Sequence, residues 1–219
     1  MLKTASCLAT AWITKATGAT RPGYTPSRVS DINTCENNTS LIIPPTDWYR
    51  SFAAAGLRNP DVHGPARYWL QVEGSFTRAL QNRCTSSFHV EVQREGFAGP
   101  TLEEARRLRI PLRQLAWIRE VHLCGDGKPW VLARTVIPLA CLAGEGRRLL
   151  HLGSKPLGAY LFSSRGWHRG PLETGLCNHQ GLESSKTGMP EIARRSLFNN
   201  KKSALLVGEY LLPILYRQN

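Results

Sequence analysis

The sequence predicts an α+β fold, an antiparallel β-sheet with helices packed on it, from three observations. Leu115–Cys124 and Trp130–Pro138 are two alternating apolar runs joined by Gly-Asp-Gly-Lys-Pro, a hairpin pattern. Ser86–Phe97 and Ser203–Leu212 repeat the alternation expected of strands. Between these runs lie stretches of helix formers bounded by capping residues, prolines and glycines, so strands and helices mix along the chain.

In chain order, residues 1–46 hold few acids and no sustained apolar period and are expected to be a poorly ordered or loosely attached extension; residues 47–219 are the expected domain. No acid precedes Asp31, as in a transit peptide, and a start codon placed too far upstream gives the same pattern. Trp48, Phe52 and Leu57 have the spacing to line one side of a short helix. Ala66–Arg83 reads as two helical pieces broken at Gly74, with Ser75 capping the second. In the strand that follows, Phe88, Val90 and Val92 alternate with His89, Glu91 and Gln93. Thr101 caps a helix that Pro111 ends. In the hairpin, Gly125, Asp126 and Gly127 are expected to supply positive backbone dihedrals. Leu142, Leu149, Leu150 and Leu152 give a helical spacing stopped by Gly153, and Ser154 is placed to cap the short helix Lys155–Phe162. Ser163–Ser185, rich in Gly, Ser and His, reads as a mobile segment or flap, and a strand over Ser203–Leu212 closes the sheet.

Two charges break this apolar patterning. Leu115, Trp117, Arg119, Val121 and Leu123 share one strand face, which is apolar except for the guanidinium. A buried cation without a partner costs several kcal/mol, so Arg119 calls for a buried carboxylate, a bound anion, or both. Glu209 lies among Leu205, Val207 and Leu211 in a strand apolar on both faces, and enclosure of that kind raises a carboxyl pKa toward a proton-donating role. Together they suggest a pocket, or else a structural Arg119–Glu209 ion pair. Arg94 is a candidate second anion contact, or half of a surface turn pair with Glu95. Arg134 either faces inward or pairs with Glu120 across the hairpin, His122 reads as a structural histidine, and Arg194 with Arg195 as a solvated pair.

Composition narrows the partners. The net charge of +12 permits nucleic acid, anionic membranes or acidic small molecules, but no basic run, zinc-finger spacing or aromatic stacking motif accompanies it, so no nucleic-acid partner is expected. The six cysteines include no C-x-x-C pair, and Cys177 with His179 lacks further ligands nearby, so neither disulfides nor a metal are expected. The sequons at Asn37–Ser40 matter only in a secreted chain, no signal peptide is recognisable, and a cytoplasmic location is expected. Glu209 and Pro213 interrupt the longest apolar run, which is too short to span a membrane as a helix.

Five strings taken in order, Gln93–Phe97, Trp117–Pro138, Leu152–Phe162, Ala193–Phe198 and Leu205–Pro213, resemble the chorismate pyruvate-lyase family across roughly two-thirds of the chain. The resemblance implies a monomer with a highly twisted antiparallel sheet and a ligand enclosed beneath helical flaps. It implies cleavage of chorismate to 4-hydroxybenzoate and pyruvate for ubiquinone synthesis, with no metal or organic cofactor. By the matching strings, Arg119 and Glu209 are the catalytic pair that also holds substrate, and Leu157 and Phe76 supply backbone contacts. Relatives more often carry Met or Leu at Phe76, and Ser163–Met189 departs from the family pattern. The competing reading is a non-catalytic effector-binding domain of the related regulator fold. Residues 1–46 show no helix-turn-helix pattern to accompany one.

Overall fold

The structure is a computed structural model that describes residues 43–164, 166–179, 188–200 and 203–217. These belong to a compact unit spanning 37–219. The sequons, residues 1–42 and the centre of the expected flap at 180–187 lie outside the described residues.

An antiparallel sheet organises the domain. Its strands are β1 (Thr46–Tyr49), β2 (Phe88–Ala98), β3 (Ala116–Gly125), β4 (Lys128–Pro138), β5 (His168–Arg169), β6 (Glu173–Cys177), β7 (Ile192–Asn199) and β8 (Ala204–Leu211). They run in the order β1-β6-β7-β8-β4-β3-β2, with β5 also pairing β7. Among the described residues six α-helices accompany them: α1 (Phe52–Gly56), α2 (Arg67–Gln71), α3 (Phe76–Arg83), α4 (Leu102–Leu108), α5 (Leu157–Ser163) and α6 (Pro213–Tyr216). No helix among the described residues is long and apolar enough to cross a membrane.

Local chemistry sets most boundaries as the sequence predicts. Ser75 caps α3 by accepting from the Arg78 N–H, and Thr101 with Glu104 forms a reciprocal capping box on α4. The β3–β4 turn has positive φ at Asp126 (51°) and Gly127 (77°), the pair a tight hairpin turn requires. Gly125 is in the strand instead, where a Cβ would come within 2.4 Å of the Trp130 ring. Asp126 also accepts N–H bonds from Thr85, Ser86 and Ser87, tying the approach to β2 onto the turn.

Several expectations need correction. Trp48 belongs to β1, not to a helix with Phe52, and Leu57 is 88 % exposed just beyond α1. The Leu142–Leu152 stretch forms 3-10 turns, because Gly144 takes φ +58° and Gly146 presses against the Cys141 carbonyl. Pro156, not Ser154, precedes α5. The carbonyls just before it, on Gly153 and Lys155, accept from Arg119. The expected flap contains β5 and β6 in its described part, both paired to β7.

The two sheet faces differ. One carries Arg119, Val121 and Leu123 of β3, Ala133 and Thr135 of β4, Val207 and Glu209 of β8, and Arg194, Ser196 and Phe198 of β7, as their register shows. Two apolar clusters pack on this face. Trp69, Leu80 and Val131 lie in one with α2, α3 and α6; Leu149, Leu161 and Leu205 lie in the other with α5. The opposite face carries Ile118 and Leu206 under Leu108 of α4. It also carries an ion-pair network: Arg134 binds Glu120 across the hairpin and Glu104 of α4 (2.7 Å). Arg195 binds Glu173 and Glu103, at 2.6 Å each. Arg134 therefore faces away from Arg119.

Candidate active site

A cavity lies between the two apolar clusters, with the sheet as floor and α3 and α5 as roof. Its lining includes Arg119, Thr135, Arg169, Arg194, Ser196 and Glu209 below, and Phe76, Thr77, Leu157 and Leu161 above. The helices meet at Gly158, where a Cβ would sit 3.2 Å from Thr77 Oγ1.

Arg119 is 2 % exposed, as its strand position predicts, but its partner is Glu95. Its Nε donates to Glu95 Oε1 at 2.6 Å, and Nη2 donates to the carbonyls of Gly153 (2.6 Å) and Lys155 (3.2 Å). Burial lowers the Arg119 pKa, with Glu95 opposing. Glu209 pairs instead with Arg194, whose Nε donates to Oε2 at 2.6 Å. Arg119 and Glu209 share the cavity without pairing to each other. The Arg119–Glu209 ion pair left open by the sequence is not formed.

A β-bulge in β2 puts Glu95, and not the candidate anion contact Arg94, beside Arg119. Alternation continued from Val90 and Val92 puts Arg94 on the inner face. The register shift between Val92 and Arg94 reverses that parity, setting Glu95 opposite Arg119 and Arg94 opposite Glu120. Arg94 is not among the cavity-lining residues.

Arg194 corrects the sequence reading most. Expected to be solvated, it is 1 % exposed, donates from Nη1 to the carbonyls of Trp69 (2.9 Å) and Val72 (3.1 Å), and lies 4.1 Å from the Phe76 ring centroid. Ile192, Arg194, Ser196 and Phe198 alternate onto the cavity face, the same signature that marked Arg119, and that pattern was available in the sequence. Arg195 faces the other way and is equally enclosed, at 5 % exposed.

Arg169 had no such signal. Its Nε donates to Ser196 Oγ (3.1 Å) and Nη1 to the Gly74 carbonyl (3.2 Å), and among the described residues no carboxylate pairs with it. Burial and then the neighbouring Arg194 push its pKa down from 12.5 to about 10, with Glu209 opposing. The cavity therefore gathers Arg119, Arg169 and Arg194 against the two carboxylates Glu95 and Glu209, leaving one positive charge over. In a site largely removed from water, that imbalance favours an organic anion.

Comparison with known proteins bears on which anion. The family model for chorismate lyase matches residues 57–219. The chain belongs to the chorismate lyase family. Within it, a protein of Marinobacter nauticus described as "Probable chorismate pyruvate-lyase" is 67 % identical over 183 residues, covering 84 % of this chain and 95 % of that one. The "Chorismate pyruvate-lyase" of Yersinia enterocolitica is 36 % identical over 172 residues, covering 78 % and 92 %. Among solved structures, the effector domain of PhnF from Mycobacterium smegmatis aligns with a TM-score of 0.44 at 18 % identity, covering 64 % of this chain and 88 % of that one; so slight a likeness carries no argument. Phe76 and Leu157, singled out by the chorismate lyase resemblance, are the first residues of α3 and α5 and line the cavity together with Arg119 and Glu209.

Proposed function

We propose that this protein eliminates pyruvate from chorismate to give 4-hydroxybenzoate in the cavity between the sheet and helices α3 and α5. The observation that carries the reading is the unbalanced set of guanidinium groups in that cavity, in a chain of the chorismate lyase family. Chorismate carries two carboxylates. Arg119 receives the one on the ring, and Arg169, which has no carboxylate partner among the described residues, receives the one on the enolpyruvyl group with Arg194 beside it. Arg119 offers its Nη1, since Nε and Nη2 already donate within the protein, and Arg169 can present Nη1 and Nη2 as a fork.

The reaction breaks the ether C–O bond and removes a proton from the ring carbon bearing the hydroxyl. The ring becomes aromatic, and the departing enolpyruvate takes up a proton at its methylene carbon to become pyruvate. No electrons or protons are gained overall. The protein's task is to hold the ring, shield it from water and guide that proton. Glu209 is the carboxyl group in the cavity lining suited to accept a hydrogen bond from the ring hydroxyl and to relay the proton. The backbone N–H groups of Phe76 and Leu157 sit where a helix supplies them no acceptor, and serve the substrate carboxylates. Substrate enters and product leaves as α3 and α5 part at the Gly158–Thr77 seam, where the two helices approach closely.

The test is direct. Chorismate is incubated with the purified chain, 4-hydroxybenzoate is followed by chromatography and pyruvate by a coupled assay. Equal amounts of the two are expected, and the absence of both would overturn the reading.

A further inference from the structure

Beyond the cavity, the face turned away from it holds a cluster of side chains with metal-ligand chemistry. His89 and Glu91 are two residues apart on β2, His122 and Cys124 two apart on β3, and the register pairs His89 with Cys124 and Glu91 with His122. A strand places such residues on one side, so the four form a square across two neighbouring strands. The His89 Nε2 lies 3.2 Å from Glu91 Oε1, and the His122 Nδ1 lies 3.6 Å from Glu91 Oε2. The ligand atoms of His89, Glu91 and Cys124 all lie within 4.8 Å of one another.

We infer that His89, Glu91 and Cys124 form a binding site for a divalent cation of the zinc class, with His122 beside Glu91 at its edge. An imidazole, a carboxylate and a thiolate are donors that zinc favours, and together they fill three positions of a four-coordinate site. Metal–nitrogen distances near 2.0–2.1 Å and a metal–sulfur distance near 2.3 Å put tetrahedral ligand atoms roughly 3.3–3.6 Å apart, and the His89–Glu91 contact of 3.2 Å is already close to that spacing. The carboxylate stands at the centre of the cluster, with Oε1 hydrogen-bonded to His89 Nε2 at 3.2 Å and Oε2 lying 3.6 Å from His122 Nδ1. The Cys124 thiol ligates a cation only as its thiolate. On binding, the cation takes the thiol's place beside the carboxylate and the thiol proton passes to solvent. Cys124 is buried while His89 and Glu91 are exposed, which gives a fixed inner ligand and an open approach.

Such a site would clamp the sheet edge. β2 is the last strand of the order and is bonded in the sheet to β3. Glu95, which holds Arg119, lies on that same strand just beyond the bulge. The cation would act as a structural strut, separate from the chemistry of the cavity. The sequence concealed it because H-x-E and H-x-C stand far apart in the chain and neither is a metal motif alone.

The test uses tag-free full-length chain titrated with Co²⁺ and, separately, with Zn²⁺. A thiolate-to-cobalt charge-transfer band is expected to saturate at one equivalent and to disappear in Cys124→Ser. Affinity is expected to fall by about tenfold or more in the surface variants His89→Ala and Glu91→Gln, and Zn²⁺ is expected to raise the melting temperature of the parent more than that of any variant. His89→Ala should retain the parent's rate of chorismate cleavage, because it faces away from the cavity. Absence of the band in the parent chain, or the same affinity in His89→Ala and Glu91→Gln, would overturn the assignment whether or not Cys124→Ser folds.

Discussion

Replacing Arg169 by Gln separates a ligand-binding cation from a structural one. The Arg169 guanidinium reaches Ser196 and the Gly74 carbonyl, and no carboxylate pairs with it among the described residues. Its pKa is lowered from 12.5 to about 10 by burial first and then by Arg194, with Glu209 opposing. For a base, a folded value below the unfolded one means that the charged form is disfavoured in the fold. The resulting penalty is present below pH about 10 and is relieved as pH rises from there toward 12.5. A depression of this size corresponds to roughly 3 kcal/mol, and discounting for solvent screening of a part-exposed side chain leaves about 1–2 kcal/mol. Arg169→Gln removes the penalty at neutral pH, so its melting temperature should rise by about 2–4 °C for each kcal/mol recovered. The same change removes a charge-assisted hydrogen bond to the substrate, which contributes about 1.5–3 kcal/mol and corresponds to a loss in affinity of roughly 10- to 150-fold. Thermal melting and the dissociation constants of chorismate and 4-hydroxybenzoate near neutral pH read both effects. A lower melting temperature with unchanged ligand affinity would refute the reasoning, because Arg169 would then be a structural group and not an anion receptor.

Three further outcomes follow from the same geometry. Glu209→Gln should lower kcat by about 10²- to 10⁴-fold, the range of proton-transfer catalysis, without raising the chorismate Kd, since the cavity becomes more positive; an equal loss in kcat and in affinity would reduce Glu209 to a partner of Arg194. Gly158→Val should prop α5 away from Thr77, because a Cβ there already meets Oγ1 at 3.2 Å, so release of 4-hydroxybenzoate should quicken and its affinity fall; unchanged release kinetics would count against the roof as the gate. On the opposite face, burial alone would raise the pKa of Glu104 and Glu173, but Arg134 for the first, and Arg107 with Arg195 for the second, outweigh it and hold both below 4.5. Folded values depressed in this way contribute stability that is present above pH about 4.5 and lost as pH falls through them. Denaturant midpoints should therefore drop below that pH, with a shallower slope in Glu104→Gln.

Where local chemistry decides, the sequence was readable. The β3–β4 hairpin follows from alternation and an Asp-Gly turn, α3 and α4 from Ser75 and Thr101, and the inward guanidinium of Arg119 from its apolar strand neighbours. Non-local effects were hidden. The bulge after Val92 exchanges the faces of Arg94 and Glu95, and no residue type announces it. β5 and β6 are short and polar and exist because β7 offers them partners. Arg194 and Arg195 look like a surface pair until β7 is recognised as a strand covered on both sides. One then enters the cavity and the other joins the Glu173 and Glu103 network. Buried charge was legible at a single arginine; its arrangement depended on which strands became neighbours.

The most direct test of the central claim is a crystal structure of the chain with 4-hydroxybenzoate. The account predicts the product enclosed between the sheet and helices α3 and α5, its carboxylate on the Arg119 guanidinium and its hydroxyl within hydrogen-bond distance of Glu209. Product lying on the outer face beside Arg134 and Glu104, with Arg119 and Glu209 untouched, would contradict it.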